Sequence, residues 1–174
     1  KHGKFHWFLA TAVPVRDAQG TVVRWFGTCT DITTEREAQE RIRESEARFR
    51  LLADNIGQLA WIAEPDGEIH WYNKRWFDYS GTTLEEMRGW GWQKIHHPDH
   101  VDRVTEKFKA HIDGEKDWED TFPIRGADGE YRWFLSRAFP VRDENGKVLR
   151  WFGTNTDVTE ERRAREEALR SEDR

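Results

Sequence analysis

Apolar and polar residues alternate over Arg132–Pro140: Phe134, Ser136 and Ala138 fall on one side, Trp133, Leu135, Arg137 and Phe139 on the other. A period of two predicts a β-strand whose two faces differ chemically. A second such run interleaves Trp151, Gly153 and Asn155 with Phe152, Thr154 and Thr156. Between the runs stands Asp143-Glu144-Asn145-Gly146, flanked by Val141 and Val148. Asn-Gly between β-branched residues predicts a hairpin, because both residues tolerate positive φ. The same pattern occurs earlier in the chain. WFLATAVPVRDAQGTVVRWFGTCTD (Trp7–Asp31) matches WFLSRAFPVRDENGKVLRWFGTNTD (Trp133–Asp157) at 17 of 25 positions, with an offset of 133 − 7 = 126. A repeat of this strength predicts one architecture built twice.

Each copy ends in Asp-Ile-Thr (Asp31–Thr33) or Asp-Val-Thr (Asp157–Thr159) and runs into a charged stretch of good helix formers. Over Thr34–Asn55 no Gly or Pro interrupts this stretch, and Thr33 is the expected N-cap. Within it Ala38, Ile42, Ser45, Phe49 and Leu52 recur at spacings of four, three, four and three, an a/d seam. Ala164, Ala168 and Ser171 continue that phase in the second charged stretch. Leu59–Glu64 and Ile69–Asn73 read as strands joined by Pro65-Asp66-Gly67. Short helices follow over Lys74–Tyr79 and Thr83–Arg88, the second opened by a Thr-x-x-Glu capping box. A longer helix runs from His97-Pro98-Asp99 to about Ile112 and is stopped at Gly114, after which Trp118–Ile124 is extended. Two strands, several helices and then three strands predict an α+β fold: a five-stranded antiparallel sheet with short helices on one face. Residues 4–32 supply only two strands. A lone hairpin is marginal in water, so the rest of its domain is expected upstream.

The ordered set Glu64-Pro65-Asp66-Gly67, Asn73, Trp76-Phe77, Tyr79-Ser80-Gly81, His97-Pro98-Asp99, the DENG turn, WFGTNTD and DVT resembles the PAS/PAC sensory-box family of bacterial sensor histidine kinases. The resemblance covers one complete domain, 47–158, and the tail of another, 1–33, joined by a helical linker, 34–46. Residues 159–174 form an exit signalling helix, and Ser171-Glu172 aligns with Ser45-Glu46, so a further module is expected beyond it. What the resemblance implies is a sensory and dimerisation module of a multi-domain two-component protein, passing a signal through coiled-coil linkers. It implies a pocket between sheet and helices, with Trp61, Trp76, Phe77, Phe108, Phe134, Ser136, Ala138, Trp151, Gly153 and Asn155 as its expected lining. It also implies a corner in which Asp157 and Thr159 direct the exit helix, with Arg142 or Arg137 as the partner of Asp157. The outer sheet face, with Trp133, Leu135, Phe139 and Phe152, is expected to join Ala38, Ile42, Ser45, Phe49 and Leu52 in a homodimer interface.

Bulk properties narrow this picture. A formal net charge of −5 and a pI near 5.8 do not suit a nucleic-acid surface. No apolar run approaches the ~20 residues of a membrane span, and the lone Cys29 suits a reducing cytoplasm. Ten Trp residues belong in cores, pockets or interfaces.

His97 and His100 lie three apart, yet no closed zinc pattern is present, and polar residues at a helix start are the simpler reading. His100 and His111 are haem-ligand candidates on the long helix, where solvated histidines are the commoner outcome. The flavin-binding light sensors of this family carry an NCRFLQ-type motif, and nothing in 89–104 resembles it. Ser80, Ser136 and Asp157 lack any triad context, and Gly89-Trp90-Gly91 lacks the setting of a phosphate loop, so no enzyme is expected. The expected ligand is a small apolar or aromatic molecule, without haem or flavin. The competing readings are a haem or metal centre on the His97–Ile112 helix and a ligand-free dimerisation scaffold.

Overall fold

The structure, a computed structural model, describes residues 3–172. It divides into two units, one ending at Leu51 and one beginning at Leu52.

The first unit holds strands β1 (Phe8–Arg16) and β2 (Val22–Asp31) and most of helix α1 (Thr33–Asn55). The strands pair antiparallel from Phe8↔Asp31 to Val15↔Arg24, with a register shift at Arg16. The turn is held by the Asp17 carboxylate, which accepts from the Gln19 and Thr21 amides, and Gly20 closes it at φ 84°. One expectation is corrected here. Thr33 is the first residue of α1 rather than its N-cap, because its hydroxyl accepts from the Trp7 amide while Asp31 accepts from the Thr33 amide.

The second unit carries a five-stranded antiparallel sheet in the order β4 (Ile69–Tyr72), β3 (Leu59–Ala63), β7 (Val148–Asp157), β6 (Tyr131–Arg142), β5 (Trp118–Arg125). The hairpin strands β6 and β7 are long and central. The short β3 pairs β7 from Leu59↔Asn155 to Ala63↔Trp151, which closes the sheet around the domain's own two ends. Helices α2 (Lys74–Ser80), α3 (Leu84–Met87) and α4 (Pro98–Asp113), with a 3₁₀ turn at Gly91–Ile95, connect β4 to β5. Local chemistry sets their ends. The Asn73 side chain caps α2 and Gly81 ends it at φ 67°. Thr83 and Glu86 form the capping box of α3, and Pro98 opens α4 behind a His97 cap. Helix α5 (Thr159–Glu172) leaves from the end of β7.

Burial follows the strand period. Phe134, Ser136 and Ala138 of β6 are buried, as are Trp151, Gly153 and Asn155 of β7. Trp133, Leu135 and Phe152 on the other face are half-buried, and Phe139 is exposed. The core therefore lies between one sheet face and the helical segment. Asn73, fully buried, ties three elements together. Its amide donates to the Ala53 and Gln58 carbonyls at 2.7 and 3.0 Å, and its oxygen accepts from the Ala60 amide at 3.0 Å.

Candidate functional site

Mostly aromatic side chains line a cavity of about 30 Å³ between the sheet and the helices of the second unit. The sheet supplies Trp61, Ile69, Trp118 and Phe122, with Ser136 and Asn155 as a polar floor. The connecting segment supplies Trp76, Trp92, His96, Val104 and Phe108. Phe108 is the hub of the ring packing and meets the edges or faces of Trp61, Trp92 and Trp118 at centroid distances of 5.8, 5.9 and 5.3 Å.

The floor is internally satisfied. The Trp118 indole N–H donates to Ser136 Oγ (3.1 Å), which donates to Asn155 Oδ1 (2.9 Å), and the same oxygen accepts from the Trp61 indole N–H (3.2 Å). The opposite wall is not. Trp76 Nε1, Trp92 Nε1 and His96 Nδ1 are buried with no hydrogen-bond partner among the described residues. His96 stacks on Phe122 at 4.6 Å and packs on Trp92 at 4.8 Å, and burial pushes its pKa down to about 3, so the imidazole is neutral.

Of the residues expected to line a pocket, Trp61, Trp76, Phe108, Ser136 and Asn155 do so together. Phe77, Phe134, Ala138, Trp151 and Gly153 do not. Phe77 is only half-buried and lies against Tyr72. Phe134 packs on Tyr79 at 5.0 Å, and the Trp151 indole donates to the Pro65 carbonyl. Ala138 is buried but is not part of the lining, and Gly153 is covered by the Trp61 indole, which occupies the space a side chain there would need. Trp118 and Phe122, missed from sequence, follow from the period of two in β5. Trp92 and His96 sit in and just after the 3₁₀ turn, where no periodicity signals which side is inward.

The exit corner has a definite geometry. The Asp157 carboxylate accepts from the Thr159 amide (2.9 Å) and hydroxyl (2.6 Å). The Thr159 hydroxyl oxygen in turn accepts from the Trp133 amide (2.9 Å), and the Val158 amide donates to the Trp133 carbonyl (2.8 Å). The Arg162 guanidinium lies 4.1 Å from the Trp133 ring centroid. Neither expected arginine pairs with Asp157. Arg142 stands at the turn end of the hairpin, opposite the end that carries Asp157, and bonds the Glu115 carboxylate and the Glu115 and Gly146 carbonyls, while Arg137 pairs with Glu119. Phe134, not Arg142, is the register partner of Asp157. The first unit repeats the corner 126 residues earlier: the Trp7 amide donates to the Thr33 hydroxyl (2.8 Å), the Ile32 amide to the Trp7 carbonyl (2.9 Å), and Arg36 stacks on Trp7 at 4.2 Å.

The histidines of α4 have other partners. His97 Nδ1 accepts from the Asp99 amide, His100 meets the Trp133 edge, and His111 Nδ1 bonds the Asp117 carbonyl. Among the described residues no group of three or more His, Cys, Asp or Glu side chains is placed to hold a metal ion. The cavity is far below the ~300 Å³ at which drug-sized pockets begin, so neither haem nor flavin fits it as it stands. Cys29 lies exposed on β2 and is not among the residues that line the cavity. No described helix is long and apolar enough to cross a membrane.

Comparison with known proteins agrees with this geometry. Residues 68–155, half of the chain, match the family described as "PAS fold", and residues 1–34 match that described as "PAS domain". The chain is 30% identical over 167 residues to the uncharacterized protein y4lL of Sinorhizobium fredii, covering 96% of this chain and 20% of that protein. It is 31% identical over 169 residues to the peroxide stress-activated histidine kinase mak1 of Schizosaccharomyces pombe, covering 88% of this chain and 10% of the kinase. The chain thus spans a fifth or less of the length of these relatives. Among solved structures, the PAS domain of a Colwellia psychrerythraea protein superposes with a TM-score of 0.54 at 21% identity, over 68% of this chain and 98% of that one. The Rhodobacter sphaeroides LOV protein superposes with a TM-score of 0.54 at 12% identity, over 66% of this chain and 68% of that one. With the family match falling inside the unit that carries the five-stranded sheet and the helical segment, the chain belongs to the PAS family, as a sensory PAS/PAC domain related to those of sensor histidine kinases.

Proposed function

We propose that this chain is the sensory and dimerisation segment of a longer cytoplasmic signalling protein with histidine-kinase output, and that signals pass between its modules through coiled-coil helices. The observation that carries the reading is the exposed seam on α1. Ile42, Ser45, Phe49 and Leu52 are all exposed at a/d spacing, on a helix whose other exposed positions are mostly charged, Ala47 and Leu51 apart. Apolar residues at that spacing gain by pairing with a second copy, and a short seam with a Ser and an Ala in it can shift between two packings at small cost. Exposed Phe139 and half-buried Trp133, Leu135 and Phe152 offer further apolar area on the outer sheet face. The names of the kinase relatives support the output.

Residues 1–33 are read as the closing hairpin of a preceding PAS domain, 47–158 as a complete one, and 159–174 as its exit helix. Support comes from comparing equivalent positions. Trp151 and Phe134 are 0% and 3% exposed, whereas Trp25 and Phe8 at the same places in the first hairpin are 67% and 56% exposed. The first hairpin thus bears a core face without the core that would cover it.

Insertions in α1 test the relay, with autophosphorylation of the full-length parent as readout. One residue added after Glu44 turns everything downstream by ~100°, and seven restore the phase. Output is expected to change with one and recover with seven. Indifference to both reduces the linker to a tether.

A further inference from the structure

Strand β5 ends the sheet, with β6 on one side and no strand on the other. Such an edge offers a row of main-chain groups to any chain that can pair with it. Every second residue of an antiparallel strand turns its main-chain groups away from its neighbour, and in β5 these are Glu119, Thr121 and Pro123. All three carbonyls are occupied from the helical side. Pro123 accepts from the His97 amide at 3.4 Å, Thr121 from the Arg103 guanidinium at 3.5 Å and Glu119 from the Lys107 ammonium at 2.7 Å. Just before the strand, His111 Nδ1 donates to the Asp117 carbonyl at 2.8 Å, and at its far end His96 bridges Ile124. Pro123 has no N–H, and the Thr121 amide donates to the Asp120 carboxylate at 2.8 Å. The Asp120 side chain, 9% exposed, is held in turn by Arg103 at 2.8 Å and Lys107 at 3.7 Å. Two periods make this fit. Arg103, Lys107 and His111 stand four apart on α4, a rise of about 6 Å per step, and the carbonyls they reach stand two apart, about 6.8 Å per step. Contacts of long, half-exposed side chains add little to stability, so what the row accomplishes is occupancy of the edge.

We propose that α4 guards the β5 edge, and that Arg103, Lys107, Asp120 and Pro123 keep a second copy of this chain from pairing there strand to strand. A second copy is the occupant to exclude, because two β5 edges related by a two-fold axis present antiparallel rows of the same groups to each other. An incoming strand must first displace the side chains that hold the outward carbonyls, and at Pro123 it finds no donor. Association between copies is thereby left to surfaces other than this edge. The guard concerns the sheet edge alone and stands whether or not signals pass through α1, which the linker insertions test separately.

The triple variant Arg103→Ala/Lys107→Ala/Pro123→Val removes two guards and restores an N–H to the edge. The double variant Lys74→Ala/Lys147→Ala is the control, since it removes the same charge from exposed lysines elsewhere. Sedimentation velocity over a concentration series reads association, and amide hydrogen exchange locates it. The triple variant is expected to associate at concentrations about tenfold or more below those the unaltered chain needs, with new protection across 117–125, while the control matches the unaltered chain. Unchanged association of a folded triple variant overturns the guard, and so does an equal gain in the control. Tighter association with new protection only across 38–52 also overturns it, because the contact would then lie on α1. If the triple variant fails to fold, Arg103→Gln/Lys107→Gln decides: association tightened by about threefold or more with protection at 117–125 supports the guard, and no change overturns it.

Discussion

The main-chain N–H of Trp133 donates to the hydroxyl of Thr159 at 2.9 Å, joining the start of β6 to the first residue of α5. Trp7 and Thr33 make the same bond at 2.8 Å, so the chain builds this joint twice. One side chain thereby ties the beginning of an inner strand to a helix start. Asp157 orients it by accepting from its amide and hydroxyl, which fixes the direction in which the helix leaves the sheet.

Removing that orienting carboxylate should loosen the helix without melting the sheet. For Asp157→Ala we expect amide hydrogen exchange to speed up across 159–170 and to hold across 131–156, with a loss of about 1 kcal/mol, the usual cost of a missing helix-start acceptor. Equal loss of protection in both segments would make Asp157 a general stability residue.

Asn73 is a buried junction rather than a simple cap. Its side chain bonds Ala53, Gln58 and Ala60, linking the end of α1 to the first strand of the sheet and to α2. Asn73→Ala leaves these buried groups unpaired and should cost about 2–4 kcal/mol in urea unfolding. A change under about 0.5 kcal/mol would mean that water replaces the amide at no cost.

Gly153 pairs Trp61 across β7 and β3, and the Trp61 ring fills the place of the missing side chain. Gly153→Ala must displace that indole and break its bond to Asn155. Overpacking of this kind costs roughly 1–3 kcal/mol, and the Trp61 indole resonance should move with it. Unchanged stability would show that the ring has room to retreat.

Acid should find His96. The folded domain holds this imidazole neutral by burial, with a pKa of about 3 against 6.5 for the free side chain. Between those values the unfolded chain binds more protons than the folded one, so stability falls as pH drops from about 6.5. A loss of about 2 kcal/mol between pH 6.5 and 5 is expected, with a lower Tm at pH 5 than at pH 7. His96→Asn, which cannot titrate there, should flatten the difference. The carboxyls of Asp31 and Asp128, held down to about 2 by hydrogen bonds from Thr33 and Arg132, act in the same direction, but only as pH falls through the range 3.8 to 2. The interval from pH 7 to 5 therefore separates the histidine from these two carboxylates. A Tm that is flat over the same interval would place His96 in contact with water.

Much of this molecule is local and so was readable from sequence. Strand faces in β6 and β7 follow a period of two, which short-range sterics impose whatever surrounds the strand. The hairpin turns, the Thr83 capping box and the Pro98 helix start all depend on residues a few positions apart. The seam on α1 is likewise a matter of spacing alone, though spacing does not say what covers it. Where the reading failed, the deciding contacts were long-range. Arg142 was close enough in pattern to be paired with Asp157, yet the antiparallel register carries it to the far end of the hairpin, beside Glu115. The lining of the cavity depends on long-range contacts in the same way. Facing inward is a property of the strand, but lining a cavity depends on which neighbour arrives first. Trp61 covers Gly153, Tyr79 takes Phe134, and the irregular turn carrying Trp92 and His96 closes the remaining space. Periodicity determines which way a side chain points, whereas only the packing of distant elements decides what it meets there.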